Sequence, residues 1–551
     1  MSGSTSLSSR GAEQSSRGRA PEGKNSGGGK NSAGFLGAIE RIGNKLPDPF
    51  WLFIILSGVV VLASWIGSAI GMTAHDPGTD REVTVESLLT AENLSRMVSD
   101  AVKNFIEFPP LGVILAVMLG VAVAEQTGLL SAMVRAMVSR VGPVMLTFMV
   151  ALAGVTGSVA SDAIYVIIIP LGAMAFHALG RSPIVGAMVA FAASSAGFNA
   201  SLILNITDLL LAGISTSAAH IVNPDYEVSP LANIYFVIPS AIVLSLIITA
   251  VTELYVDKKA RHLVDHDDIA TDELSFDNAT ESASPADASG DDQDLSLSPT
   301  ESKALKAAGL TLLVFLAAFF LALFLPASPL ANTEEGFMKS PLITAIAVPI
   351  SLGFFLCGLA YGLVAGTISS GEDIPDMMAK GLKTLLPMLV LFFAVSQFLA
   401  WFRWSNLGSW TAIRGAELLQ RWDLPNVLLF AGFVLMVSVI NLLLTSGSAQ
   451  WALMAPVVVP MMMYVGISPE VTQMLFRIGD SPTNIITPMS PYFALALTFL
   501  QRYYKKAGVG TLMSLALPYS LAMVVGWFLF FLAWYYLGIP LGPGAPMDYQ
   551  L

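Results

Sequence analysis

Residues 426–469 read NVLLFAGFVLMVSVINLLLTSGSAQWALMAPVVVPMMMYVGISP, 44 consecutive positions without Asp, Glu, Lys, Arg or His. A helix needs about 20 apolar residues to cross a bilayer, so this run is about two crossings long. Its centre, Thr445-Ser446-Gly447-Ser448-Ala449-Gln450, is small and polar. That composition predicts a turn at membrane depth. Non-helical backbone survives there only where protein or a water-filled cavity satisfies its polar groups.

Working outward, the same charge-free character recurs at 50–72, 182–207, 228–252, 307–325, 340–371, 384–402, 481–501 and 507–547, with further candidates at 141–161 and 109–124. These runs predict about 9 to 11 membrane segments. Composition agrees: 54% of the 551 residues are hydrophobic and 12% are charged, against about 25% charged in soluble domains. The mean hydropathy is +0.68. Lipid is the expected solvent, and a large soluble fold is excluded.

The net charge of −12 is local. Residues 257–301 hold 13 acidic and 3 basic side chains, which reads as a solvated linker rather than a surface for a basic partner or a nucleic acid. Residues 1–33 are rich in Ser and Gly and basic, without the apolar core of a signal peptide, and read as a disordered tail. Residues 1–49 carry seven Lys/Arg, whereas 73–104 carry three with six acids. The Lys/Arg bias therefore predicts a cytoplasmic N-terminus and a multi-pass protein of the bacterial inner membrane. Lys258, Lys259, Arg261, Arg502, Lys505 and Lys506 fall on the same side. The expected organisation is a tail (1–33), a first transmembrane repeat (34–256), an acidic cytoplasmic linker (257–303), a second repeat (304–540) and a C-terminal tail (541–551).

The repeat is visible in short blocks. Thr156-Gly157-Ser158 precedes Pro170 by 12 residues, and Ser446-Gly447-Ser448 precedes Pro460 by 12. Gly180-Arg-Ser-Pro183-Ile-Val185 then parallels Gly466-Ile-Ser-Pro469-Glu-Val471, and Ser195-Ala-Gly-Phe-Asn199 parallels Ser481-Pro-Thr-Asn484. Gly, Ser and Pro are common enough for one such match to arise by chance; four in order form a pattern. Secondary transporters place broken helices from paired repeats near the bilayer midplane, where exposed backbone dipoles hold ions or anionic groups. The expected fold is an all-α polytopic membrane protein of two inverted repeats, with re-entrant hairpins near 155–178 and 444–466.

Ionisable residues inside apolar segments are expensive and usually functional. Arg477 and Asp480 share a helical face at i,i+3 spacing. They are either a self-neutralising pair, or a guanidinium for a substrate carboxylate beside an acid that handles a proton or cation. Asp208 is either an acid at a helix end or a protonatable coupling group. Asp162 suits a hairpin tip or transport. Trp451 reads as packing or as a stacking platform for an aromatic ligand. Asn441 lies among Ile, Leu and Val and needs a polar partner. Asn199, Ser481 and Asn484 can offer neutral oxygens to a cation. His177 and His220 are isolated, and lone Cys357 excludes an intrachain disulfide and a multi-cysteine metal site. The sequence shows no metal-ligand cluster, no phosphate loop and no catalytic motif. The expectation is a non-enzyme without a cofactor.

The stretches SGSAQWALMAPVVVPMM, GISPE and FRIGDSPTNIITPMSPY, with GSVASDAIYVIIIPLG, GRSP and GFNASLILNITD in the first half, resemble the AbgT family of p-aminobenzoyl-glutamate transporters over roughly 34–540. The resemblance implies about nine transmembrane helices, two re-entrant hairpins and a homodimer. It also implies import of p-aminobenzoyl-glutamate or export of sulfonamide antimetabolites, coupled to an H⁺ or Na⁺ gradient. The family's functional positions fall on Asp208, Asn441, Ser448, Trp451, Pro469, Arg477, Asp480 and Pro488. A dicarboxylate or other organic-anion carrier of similar architecture is the competing reading. An intramembrane hydrolase or a non-transporting scaffold fits the buried Arg and Asp less well.

Overall fold

The computed structural model describes residues 47–138, 142, 144–160, 163–263, 297–332 and 337–551. The tail 1–33, most of the acidic linker and Asp162 lie outside these residues. Among the described residues, seven helices are long and apolar enough to cross a membrane: Pro49–Ala69, Pro109–Gln126, Ile234–Arg261, Pro299–Phe324, Ala347–Ala365, Leu386–Trp404 and Val509–Tyr536. Local chemistry sets their starts. Asp48 accepts the N–H of Phe50 at 2.9 Å with Pro49 opening the first helix, and Ser298 and Glu301 form a reciprocal capping box ahead of the fourth. Pro299–Phe324 exposes Leu310, Leu313 and Leu321 to more than 60% each. Such a surface suits lipid rather than water.

The remaining apolar runs are broken. Run 426–469 divides into Asn426–Asn441 and Gly447–Tyr464, with the turn at the predicted Thr445–Ser446. Run 141–161 yields Leu146–Thr156, which passes through a tight 3-10 turn, Gly157–Ala160, toward Ala163–Ala178. The hairpins therefore begin earlier than expected. Each break is the tip between two short helices, and 447–464 is one continuous arm despite Pro456 and Pro460 inside it. Run 182–207 becomes Pro183–Phe191, a π turn over Ala192–Ala196, an extended stretch and Ile206–Ala219. Run 481–501 becomes a 3-10 segment, Ser481–Ile486, followed by Pro491–Tyr503. Both halves thus contain a hairpin followed by a helix interrupted near Asn199 or Asn484.

One departure from all-helical structure is a two-stranded antiparallel ribbon, Thr73–Asp76 with Arg81–Thr84, in register Thr73↔Thr84. Its turn is Asp-Pro-Gly-Thr-Asp, in which Asp76 accepts the Gly78 N–H at 2.9 Å. That turn chemistry lay in a loop read only for its charge. The C-terminal segment docks on the turn before helix Pro469–Asp480: Tyr549 N–H donates to Gly466 O at 2.9 Å.

Candidate functional site

The interrupted helices of the two halves meet. Ser481 Oγ donates to Ala196 O at 3.0 Å and accepts the Asn199 N–H at 3.1 Å. This contact joins the π turn of the first half to the 3-10 segment of the second, and the charged residues gather around it.

Pro469 is the first residue of helix Pro469–Asp480, all of whose residues are buried. Ser468 caps it, accepting the Val471 N–H at 3.2 Å. At its far end Arg477 does not pair with Asp480. Its Nη1 donates to Asp208 Oδ1 at 2.5 Å, across the two halves, with both side chains buried. Asp208 is also the third residue of helix Ile206–Ala219. Its Oδ2 accepts the Asn205 N–H at 2.8 Å while Asn205 Oδ1 accepts the Asp208 N–H at 3.1 Å. Both carboxylate oxygens of Asp208 are thus engaged, one by the guanidinium and one by the capping box. Of the two readings the sequence left open for Arg477 and Asp480, the self-neutralising pair is not formed: i,i+3 spacing brings the two side chains to one face, but Asp208 from the other half takes the guanidinium.

Asp480 is the more available acid. Its Oδ2 accepts Asn199 Nδ2 at 2.8 Å, and its Oδ1 is buried without a partner. Asn441 Nδ2 donates to Asp480 O at 2.6 Å, Thr483 Oγ1 at 2.8 Å and Asn484 Oδ1 at 3.0 Å. The Oδ1 atoms of Asn199 and Asn441 are also buried and unpartnered. Three orphan oxygens therefore surround the C-terminus of helix Pro469–Asp480, where the helix dipole is negative. Such a donor set offers oxygens to a cation or takes a proton, and holds no metal-selective ligand such as His or Cys. Among the described residues no group of three His, Cys, Asp or Glu side chains forms a metal site.

Asp480, Asn199 and Asn484 line a cavity of about 370 Å³ between the halves. Its wall includes the hairpin tips, Ser158 in the first half and Thr445–Ser448 in the second. A Cβ on Gly447 would stand 3.0 Å from Asp480 Oδ2, so a side chain there would crowd the carboxylate. The first turns of Gly447–Tyr464 and Pro491–Tyr503 face the same space through Ser446, Gly447 and Ser448 and through Ser490, Pro491 and Tyr492. Helix N-termini carry partial positive charge and suit anions. Phe198, Tyr165 and Tyr492 are the aromatic residues on this lining with accessible surface, and fully buried Phe476 borders it. The two tyrosine rings stack at 4.0 Å across the halves.

Trp451 and Arg477 are absent from this lining. Trp451 is fully buried, donates Nε1 to Ser215 Oγ at 3.0 Å and packs on Phe476 at 4.6 Å between ring centroids. It braces the aromatic wall from behind. Pro488 sits in the connection between Ser481–Ile486 and Pro491–Tyr503, where a proline keeps the chain out of helix. Sequence reasoning missed Phe198, Phe476, Tyr165 and Tyr492. The available signals were the positions of Tyr165 and Tyr492, just inside helices that follow breaks.

The fold and cavity define a polytopic membrane protein with a solute-sized chamber of mixed polar and apolar lining between two halves. Residues 34–549 match the family model described as "AbgT putative transporter family". The chain is 37% identical over 515 residues to the p-aminobenzoyl-glutamate transport protein of Escherichia coli (strain K12), covering 93% of this chain and 97% of that one. The Alcanivorax borkumensis YdaH transporter superposes with a TM-score of 0.81 at 39% identity, over 90% of this chain and 100% of the other. Neisseria gonorrhoeae MtrF, whose structure is described as illuminating a class of antimetabolite efflux pumps, gives 0.85 at 39% identity, over 93% and 100%. The chain belongs to the AbgT family, and is a membrane transporter rather than an enzyme.

Proposed function

We propose that this protein is a secondary active transporter that moves p-aminobenzoyl-glutamate or exports sulfonamide antimetabolites, driven by an H⁺ or Na⁺ gradient. The observation that carries the reading is the pairing of opposite chemistries on one cavity. Two helix N-termini and aromatic rings suit an aromatic anion, and Asp480 with its orphan oxygens suits a proton or cation. The named transport protein of Escherichia coli and the MtrF efflux pump supply the two candidate solutes.

Within this reading Asp480, Asn199, Asn441, Ser481 and Asn484 form the coupling region. Ser448 and Phe476 contact substrate, and Trp451 supports Phe476. The Arg477–Asp208 pair holds the two broken helices in register. Pro469 and Pro488 bound the interrupted helix. A second copy of the chain, an inverted relation between the repeats and a cytoplasmic N-terminus in the inner membrane complete the proposal. Uptake of labelled p-aminobenzoyl-glutamate into proteoliposomes under an imposed pH or Na⁺ gradient tests it. Gradient-driven uptake supports import, and movement of a sulfonamide alone turns the reading to export. Movement of a dicarboxylate lacking any aromatic ring, at the same rate, contradicts the aromatic requirement.

A further inference from the structure

A second polar cavity, about 260 Å³, is lined by Asn104, Glu107, Ser217, His220, Ser396 and Arg403 among others. It lies at the opposite ends of two helices that also wall the first. Ile206 and Thr207 open helix Ile206–Ala219 at the first cavity, and Ser217 and the capping His220 close it at the second. Met388 lies at the first cavity and Arg403 at the second, on helix Leu386–Trp404. At about 1.5 Å per residue, the 6 positions from Leu211 to Ser217 and the 8 from Met388 to Ser396 separate the nearest walls of the two cavities by roughly 10 Å. Between them the helices close tightly: a Cβ on Gly213 would come within 2.8 Å of Pro110 Cα.

The second cavity has its own polar machinery. Among the described residues no carboxylate lies within ion-pair distance of Arg403, and His220 Nε2 is buried without a hydrogen-bond partner. Neither residue serves the capping box or the Asp480 cluster. The neighbouring amides are already used: Asn104 Nδ2 donates to Gln397 Oε1 at 3.1 Å, and Gln397 Nε2 to Ala101 O at 2.9 Å. Arg403 and His220 are therefore the groups left for a ligand. A guanidinium beside an imidazole recognises a carboxylate or a comparable oxyanion. Glu107, on the same lining, reduces the net positive charge. A station that releases its ligand needs binding of that moderate strength.

We propose that this cavity is a second binding station for the transported organic anion at the opposite membrane face, with Arg403 and His220 as its recognition groups. The inference rests on the transport reading and assigns residues to the far end of the same path. The anion reaches the Asp480 chamber only when the helices part at Gly213 and Pro110.

The test compares right-side-out with inverted membrane vesicles carrying the wild-type chain, Arg403→Ala, Arg403→Lys and His220→Ala, with p-aminobenzoyl-glutamate as the probe. The expected result is a KM raised roughly tenfold for Arg403→Ala when solute is offered from the Arg403 face, as loss of a charge-assisted hydrogen bond implies. From the other face the KM stays unchanged, which also shows that the variant is folded. Arg403→Lys recovers part of the loss, and His220→Ala shows a smaller effect of the same sidedness. Equal KM values at both faces in every variant overturn the second station and leave the transport reading standing. Failure of the wild type to move the probe in either vesicle overturns the transport reading, and the second station with it.

Discussion

Arg477 of the second half and Asp208 of the first form a 2.5 Å ion pair with both side chains buried, and each belongs to a helix next to an interruption. The pair fixes how the two broken helices face one another. Removing one partner leaves a charge stranded away from water, which costs about 3–5 kcal/mol. Arg477→Ala and Asp208→Ala are each expected to lower thermal stability in detergent by an amount of that order, besides losing transport. A joint replacement by apolar residues of similar volume recovers most of the stability without recovering transport. Transport-dead single variants that melt with the wild type would show that the pair binds solute and does not brace the fold.

Asp480 is expected to behave differently. Asp480→Asn retains the shape and an acceptor for Asn199 but removes the charge and the free carboxylate oxygen. Its predicted phenotype is a folded protein without gradient-driven uptake, checked by size-exclusion profile and proteoliposome flux. Asn199→Ala strands Asp480 further and lowers the uptake rate, leaving the Arg477–Asp208 pair to hold the fold.

Two glycines separate packing from function. A Cβ on Gly479 would stand 2.7 Å from Val434 O and from Val437 Cβ, a backbone-bounded contact. Gly479→Ala is expected to destabilise by about 1–3 kcal/mol through overpacking, read by thermal melting. A Cβ on Gly447 would meet only the movable Asp480 Oδ2, at 3.0 Å. Gly447→Ala should melt close to wild type and show reduced transport.

Trp451 and Phe476 divide the aromatic role. Trp451→Ala opens a void behind the wall and should cost about 3–5 kcal/mol of stability. Phe476→Leu removes the ring from the cavity lining and takes a small volume out of a fully buried site. It is expected to raise the KM for p-aminobenzoyl-glutamate with a smaller loss of stability than Trp451→Ala. A KM effect confined to Trp451 variants, with Phe476→Leu silent, would place the aromatic contact on Trp451 itself.

Much of this architecture was readable along the chain. Absence of charge over 426–469 and its polar centre located both a membrane pair and its turn, since each depends on local composition. Asn199, Ser481, Asn484 and Asp480 were found as breaks and charges, and the fold brings them together. What failed depended on distance. The Arg477 partner lies 269 positions away, and spacing within one helix could offer only Asp480 as a neighbour. Trp451 sat beside the hairpin tip in sequence, but its helix turns the indole toward Ser215 and away from the cavity. The Tyr165–Tyr492 stack joins residues from different halves, and no periodicity in either helix announces it. Run length overstated the long helices, because prolines and small residues divide four of the runs.

The most direct test of the central claim is uptake of labelled p-aminobenzoyl-glutamate into proteoliposomes under an imposed pH or Na⁺ gradient, comparing wild type with Asp480→Asn at equal folded protein. The account predicts gradient-driven accumulation in the wild type and none in the variant. Equal accumulation by both would contradict the assignment of coupling to Asp480 and its cavity.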